Sequence, residues 1–185
     1  MSAVGVRPAV AADAAAIARV RVDAWRSTYR GMMPDAYLDG MNVADNAAFW
    51  ERIIGAQSPL ASVFVAFDEG TLVGFASANA RHPPIHGFDA ELSAIYLAAE
   101  HKRRGIGRRL VAAVAAAQRQ RGASGLIAWV IAKNQPARLF YDALGGEVVA
   151  EQAFQWDGID LIEVGYGFRD LDALAAAAGP NPAVH

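Results

Sequence analysis

The chain has 185 residues, 54% of them hydrophobic, with a formal net charge of −2 and no cysteine. That length suits one domain with a sizeable core, and the near-neutral balance gives no sign of a protein built to bind nucleic acid. The lack of cysteine excludes disulfides, a thiol nucleophile and cysteine-held zinc. The histidines (His82, His86, His101 and His185) show no metal-ligand spacing, so no metal is expected. Residues 1–8 lack the apolar core of a signal peptide, and no apolar run nears the ~20 residues of a membrane helix. A cytoplasmic protein that uses no membrane is the expectation.

In chain order, residues 4–7 predict a first strand and 12–26 a helix, with Ile17, Val20 and Ala24 on one face. Residues 29–39 form a turn-rich connection, and Asn42 predicts the cap of a second helix reaching about 54. Residues 63–67 and 72–79 read as a hairpin around Asp68-Glu69-Gly70. Residues 81–88, with two prolines and a glycine, predict a loop. A strand over 91–97 then leads into a helix over 105–120, whose Ile106, Leu110, Val114 and Ala117 form one apolar stripe. Residues 126–131 predict a buried strand. Residues 135–143 predict a short helix with Pro136 in its first turn and Gly145 as its stop. A last hairpin, 147–155 with 159–169, closes the sequence of elements. The tail from Leu171 is expected to fray. Antiparallel hairpins mixed with a strand–helix–strand crossover predict a mixed α/β or α+β class.

The run Lys102-Arg103-Arg104-Gly105-Ile106-Gly107-Arg108-Arg109 sits between the strand and the long helix. A helix start offers unpaired N–H groups and about half a positive charge, and two glycines let an anion approach the main chain. The expected ligand is anionic, a nucleotide pyrophosphate. There is no Walker spacing, and Leu110 stands where the third glycine of a Gly-x-Gly-x-x-Gly loop belongs. The spacing that fits is Arg/Gln-x-x-Gly-x-Gly/Ala, with Lys102 in the first place. Here the chain closely resembles the GNAT superfamily of N-acetyltransferases. Three further segments carry the resemblance, which spans about residues 4–169. Glu91-Leu92-Ser93-Ala94-Ile95-Tyr96-Leu97 matches the strand before the loop. The stretch from Asn134 to Gly145 fits Asn-x-x-Ala-x-x-x-Tyr-x-x-x-Gly, and the opening Val6-Arg7-Pro8-Ala9 with Asp13 matches the usual start.

The resemblance implies a single-domain acyl-CoA N-acyltransferase fold over residues 1–170: a mixed, twisted and splayed β-sheet flanked by helices, with 171–185 as a flexible tail. It implies acetyl-CoA in the splay, with no metal. Main-chain groups of Ile95, Tyr96 and Leu97 would pair with pantetheine, and Lys102, Arg103, Arg104, Gly105, Ile106, Gly107 and Arg108 would hold the pyrophosphate. Asn134, Arg138 and Tyr141 share one helical stripe in the sequence, opposite Leu139, Phe140, Ala143 and Leu144, and would face the thioester. Family members are often dimers, so a homodimer is an expectation without a legible interface.

Acyl transfer to an amine needs a neutral amine, a donor for the carbonyl oxygen and a proton for the leaving thiolate. Tyr141, at the family's tyrosine position, is the candidate acid; otherwise it is a core aromatic beside Phe140. Glu91 is the candidate base, on one face with Ser93, Ile95 and Leu97 by strand alternation; otherwise it is an edge carboxylate in a salt bridge. Asn134 has a helix cap as its other reading. The acceptor, a small-molecule or peptide amine, would meet some of Trp25, Tyr29, Tyr37, His82, His86, Phe154 and Trp156. A non-catalytic acyl-CoA sensor, a transferase with another donor or an O-acceptor, and a basic nucleic-acid module remain as alternatives.

Overall fold

The computed structural model describes residues 4–156 and 158–177. Seven strands form one sheet: β1 (Gly5–Pro8), β2 (Ala61–Asp68), β3 (Thr71–Ile85), β4 (Phe88–Leu97), β5 (Leu126–Ile131), β6 (Glu147–Trp156) and β7 (Ile159–Phe168). Their order across the sheet is β1-β2-β3-β4-β5-β7-β6. Only β4 and β5 run parallel, joined by the crossover helix α4 below. This is the mixed sheet flanked by helices that the sequence led us to expect.

Among the described residues six α-helices cover the sheet: α1 (Ala14–Thr28), α2 (Asp35–Gly40), α3 (Val43–Gly55), α4 (Ile106–Gln120), α5 (Gln135–Ala143) and α6 (Leu171–Ala176). Local chemistry sets their starts. Asn42 Oδ1 accepts the Ala44 and Asp45 N–H groups at 2.7 and 3.2 Å, the cap its side chain predicts. Ahead of α1, Asp13 accepts the Val10 N–H at 2.9 Å and a forked bond from Arg7 at 2.8 and 3.0 Å. The stripe Ile106, Leu110 and Val114 on α4 is wholly buried against one face of the sheet, with Val111 and Ala115. On the other face α1 and α3 bring Ile17, Val20 and Trp50 against Val65 and Phe75. A third cluster gathers Met33, Leu38 and Leu161 beneath the β6–β7 hairpin.

Three expectations need correction. The segment 81–88 is not a loop: β3 continues to Ile85, turns at His86-Gly87 and returns in β4. The register jumps from Ala80–Ala90 to Ile85–Phe88, so Pro83 and Pro84 fall where the ladder is interrupted and their missing N–H groups break nothing. The tail does not fray at Leu171. Leu171 and Leu174 are buried, Asp170 caps Ala173 at 2.9 Å, and Asp172 pairs with Arg119 of α4. The expectation for 178–185 lies outside the described residues. Finally, strand alternation fails at Ser93, where a bulge shifts the β3–β4 register between Ala94–Ser77 and Leu92–Ala78. Ile95 and Leu97 pack on the α4 side, whereas Ala94 and Tyr96 pack on the α1 side. Glu91 therefore does not share a face with Ile95 and Leu97.

Candidate active site

The parallel pairing of β4 and β5 covers only Ala90–Leu126, Glu91–Ile127 and Leu92–Ala128. Past Leu92 the strands part. β4 keeps its partner β3 to Leu97, and β5 keeps β7 to Ile131, so each turns a strand edge toward the gap. A cavity of about 450 Å³ occupies this splay. It is within the size range of small-molecule sites.

One end of the cavity is the start of α4. Gly105 is its cap residue, at φ 78°, and no side chain caps the first amides of the helix. A β-carbon at Gly105 would carry a left-handed penalty, while one at Gly107 would stand 3.1 Å from the Phe140 ring. The sequence Gly-x-Gly thus meets two separate needs, a turn and a close helix-to-helix approach. Lys102, Arg103 and Arg108 line this end. Arg104 does not. Its Nη1 donates to Asp68 at 3.0 Å, and His101 Nε2 lies 3.4 Å from the same oxygen. Ile106 contributes no side chain to the cavity, being fully buried beneath the helix.

The middle is walled by Ile95, Tyr96 and Leu97 on β4, Trp129 and Val130 on β5, and Asn134, Ala137, Phe140 and Tyr141 on or before α5. Asn134 both caps α5, accepting the Ala137 N–H at 3.3 Å, and lines the cavity, so its two readings hold together. Arg138 leaves the stripe. Its Nε donates to the Tyr166 hydroxyl at 3.2 Å and its Nη1 to the Ala132 carbonyl at 3.4 Å. Phe140 joins the lining and Leu139 is exposed, the reverse of the sequence expectation. The cavity face of α5 follows Ala137, Phe140, Tyr141 and Leu144, a 3–4 spacing that includes Phe140 and excludes Arg138.

The far end brings Thr28 of α1 and the Tyr29 that follows it to Ser93, Ala94 and Tyr96, and Trp129 of β5 extends from the middle to this end. Tyr29, Tyr96 and Tyr141 all have pKa values above the ordinary phenol value. Burial is the main cause for each. Tyr141 is also held up by Tyr96, while Tyr29 is drawn partly back by Tyr96 and Asn134. All three therefore keep their protons at neutral pH. Trp25 packs at a 56° tilt against Tyr29 with ring centres 4.7 Å apart. Its Nε1 lies near enough to Tyr96 to pull that phenol's pKa down slightly, yet no partner meets bonding geometry. Trp156 and Tyr37 close the same aromatic cluster from the β6–β7 tip and α2, behind the lining.

Glu91 is not part of the lining; its carboxylate is 2.5 Å from Arg81 of β3, a salt bridge along the hairpin. Sequence reasoning passed over Trp129, Val130 and Leu92. Trp129 had a signal. In 126–131 the even positions are buried under α4, so the one aromatic at an odd position must face the other way. Among the described residues no group of three or more His, Asp or Glu side chains could hold a metal ion.

The profile of the acetyltransferase (GNAT) family matches residues 22–145. The chain belongs to that family. It is 42% identical over 172 residues to the uncharacterized N-acetyltransferase YuaI of Bacillus subtilis (strain 168), covering 92% of this chain and 96% of the relative. It is 29% identical over 133 residues to the aminoglycoside N(6')-acetyltransferase type 1 of Salmonella typhimurium, covering 70% of this chain and 87% of that one. Among solved structures it resembles the PaiA N-acetyltransferase of Thermoplasma acidophilum, in complex with coenzyme A. The TM-score is 0.69 at 23% identity, over 89% of this chain and 98% of that one. A putative acetyltransferase of Salmonella typhimurium, YncA, with acetyl-CoA, gives 0.68 at 21% identity, over 91% and 94%. This GNAT chain is an acetyltransferase enzyme. No helix among its described residues is long and apolar enough to cross a membrane.

Proposed function

We propose that this N-acetyltransferase moves an acetyl group from acetyl-CoA to a primary amine, by direct attack with both substrates in the splay. One observation carries the reading: a single cavity joins the uncapped, cation-flanked start of α4, the unpaired edge of β4 and the protonated Tyr141. The residues present fit the group. Lys102, Arg103, Arg108 and the first α4 amides would hold its pyrophosphate, and the edge at Ile95, Tyr96 and Leu97 would pair with its pantetheine arm. The bound group would supply an acetyl thioester. The coenzyme A complexes of the two solved acetyltransferases favour this occupant.

Tyr141 Oη would give its proton to the departing sulfur. Burial keeps this phenol in its donor form at neutral pH; being a weaker acid than a thiol (~8.5), it would stabilise the charge developing on sulfur by hydrogen bonding, pass its proton as the bond breaks, and regain one from solvent. Glu91, bound to Arg81, would hold the hairpin arm, and water at the acceptor mouth would take the amine's proton. Arg104 and Arg138 would support the site from outside, the first through Asp68 and the second through Tyr166. The acceptor is a small-molecule or peptide amine, and no nucleic acid or membrane is required. The test is an amine panel with acetyl-CoA, read by thiol release and by the mass of the product. Stoichiometric thiol and acetylamine are expected; acetyl-CoA binding without product from any amine would contradict the reading.

A further inference from the structure

The two ends of the cavity differ in charge. The α4 end carries Lys102, Arg103 and Arg108; among the described residues lining the whole cavity there is no carboxylate. The acceptor end is instead ringed by Tyr29, Tyr96 and Trp129, with Thr28 and Ser93 between them. These rings are fixed from behind. Tyr29 packs at a tilt against Trp25, and Trp129 lies against Gly165, where a β-carbon would come within 3.1 Å of the ring, and beside His86 at 5.8 Å between centres. The nearby carboxylate on β4, Glu91, is already occupied by Arg81.

A polycationic amine would have to shed water from several ammonium groups here with no counter-charge and three cations at the opposite end. A buried charge left unpaired is costly. One face of one ring can hold one ammonium, not several. A single amine on a flat apolar body meets the opposite situation. Its body buries apolar area on the rings, and desolvation among uncharged walls favours the neutral amine that must attack. The same walls thereby do the work for which no lining carboxylate is present.

Resting on the acetyltransferase reading above, we propose that the acceptor is a monoamine on an aromatic or comparably apolar body, seated between Tyr29 and Trp129, and that polyamines and aminoglycosides are poor acceptors. This departs from the acceptor named for the Salmonella typhimurium relative.

The test compares kcat/KM for 2-phenylethylamine and tryptamine with that for spermidine and kanamycin at saturating acetyl-CoA. Wild type should favour the arylalkylamines by roughly tenfold or more. In Trp129→Ala that ratio should fall by about tenfold, through loss of the arylalkylamine rate. Equal or better rates with spermidine or kanamycin would overturn the proposal, as would a ratio untouched in Trp129→Ala. Acetyl-CoA calorimetry on the same preparation separates the failures. Cofactor heat with the wrong preference overturns the acceptor class and leaves the proposed function standing; cofactor heat with no amine accepted overturns both and leaves only donor binding. No cofactor heat overturns the proposed function and the acceptor class together.

Discussion

The two ends of the cavity are built in opposite ways. The α4 end comes from one unbroken segment, Lys102 to Arg108, in which Gly105 makes the turn and Gly107 admits Phe140; in the proposed function it would bind through main-chain amides. The other end, the proposed acceptor site, is assembled from Tyr29, Tyr96 and Trp129 on three segments far apart in the chain, and would work through side chains. An anion common to many proteins can be read by backbone geometry, which a short motif encodes. A particular acceptor must be read by rings whose meeting depends on the whole fold, and such surfaces vary most between relatives.

The comparison can be sharpened by substitutions at each end and between them. The largest effect is expected where the ends meet. Tyr141→Phe should lower kcat about 100-fold while acetyl-CoA KM moves only about twofold, seen in steady-state kinetics. An unaltered kcat would remove Tyr141 from proton donation. Next, Gly105→Val forces a branched residue to φ 78° and should weaken acetyl-CoA binding about tenfold by calorimetry. Asp68→Ala frees Arg104 and His101 and loosens the loop from outside. Acetyl-CoA KM should rise about threefold with kcat at saturation unchanged, in keeping with a half-exposed ion pair. Glu91→Gln should leave the pH–rate profile unshifted, whereas a displaced acid limb would make Glu91 a base after all.

The cavity tyrosines and Asp13, ahead of α1, set opposite pH limits to stability. Tyr29, Tyr96 and Tyr141 have folded pKa values raised above the unfolded value near ~10. Their contribution to stability is full below ~pH 10 and lost as pH climbs toward the folded values. Asp13 titrates the other way. Its hydrogen bonds from Arg7 lower its pKa, against a smaller rise from desolvation, so its contribution is present above ~pH 4 and lost below. Thermal melts should show an alkaline fall reduced in Tyr96→Phe, and an acid fall reduced in Asp13→Asn. The second variant should lose roughly 1 kcal/mol at neutral pH.

What the sequence revealed divides along the same line. Asn42 and Asn134 announce caps because capping is local, and Ile106, Leu110 and Val114 announce the buried face of α4 because a helix repeats regularly. The splay loop was legible from the spacing of two glycines. The bulge at Ser93 was not. Nothing in Glu91-Leu92-Ser93-Ala94 marks an inserted residue, and one insertion moves Glu91 off the face of Ile95 and Leu97. Arg138 shares a helical stripe with Asn134 and Tyr141, and Arg104 adjoins the glycine motif, yet each is captured by a partner remote in sequence, Tyr166 and Asp68. Two prolines made 81–88 read as a loop, because the interrupted ladder that tolerates them is a property of the pairing between β3 and β4.

If main-chain amides at the start of α4 grip a pyrophosphate while the split strands hold what hangs from it, removing the pyrophosphate must cost most of the affinity. Parallel calorimetric titrations with acetyl-CoA and with acetyl-pantetheine, which lacks the pyrophosphate, test it most directly. One saturable site per chain for acetyl-CoA is expected, with acetyl-pantetheine weaker by about 100-fold or more. Equal affinities, or no heat from acetyl-CoA, would contradict it.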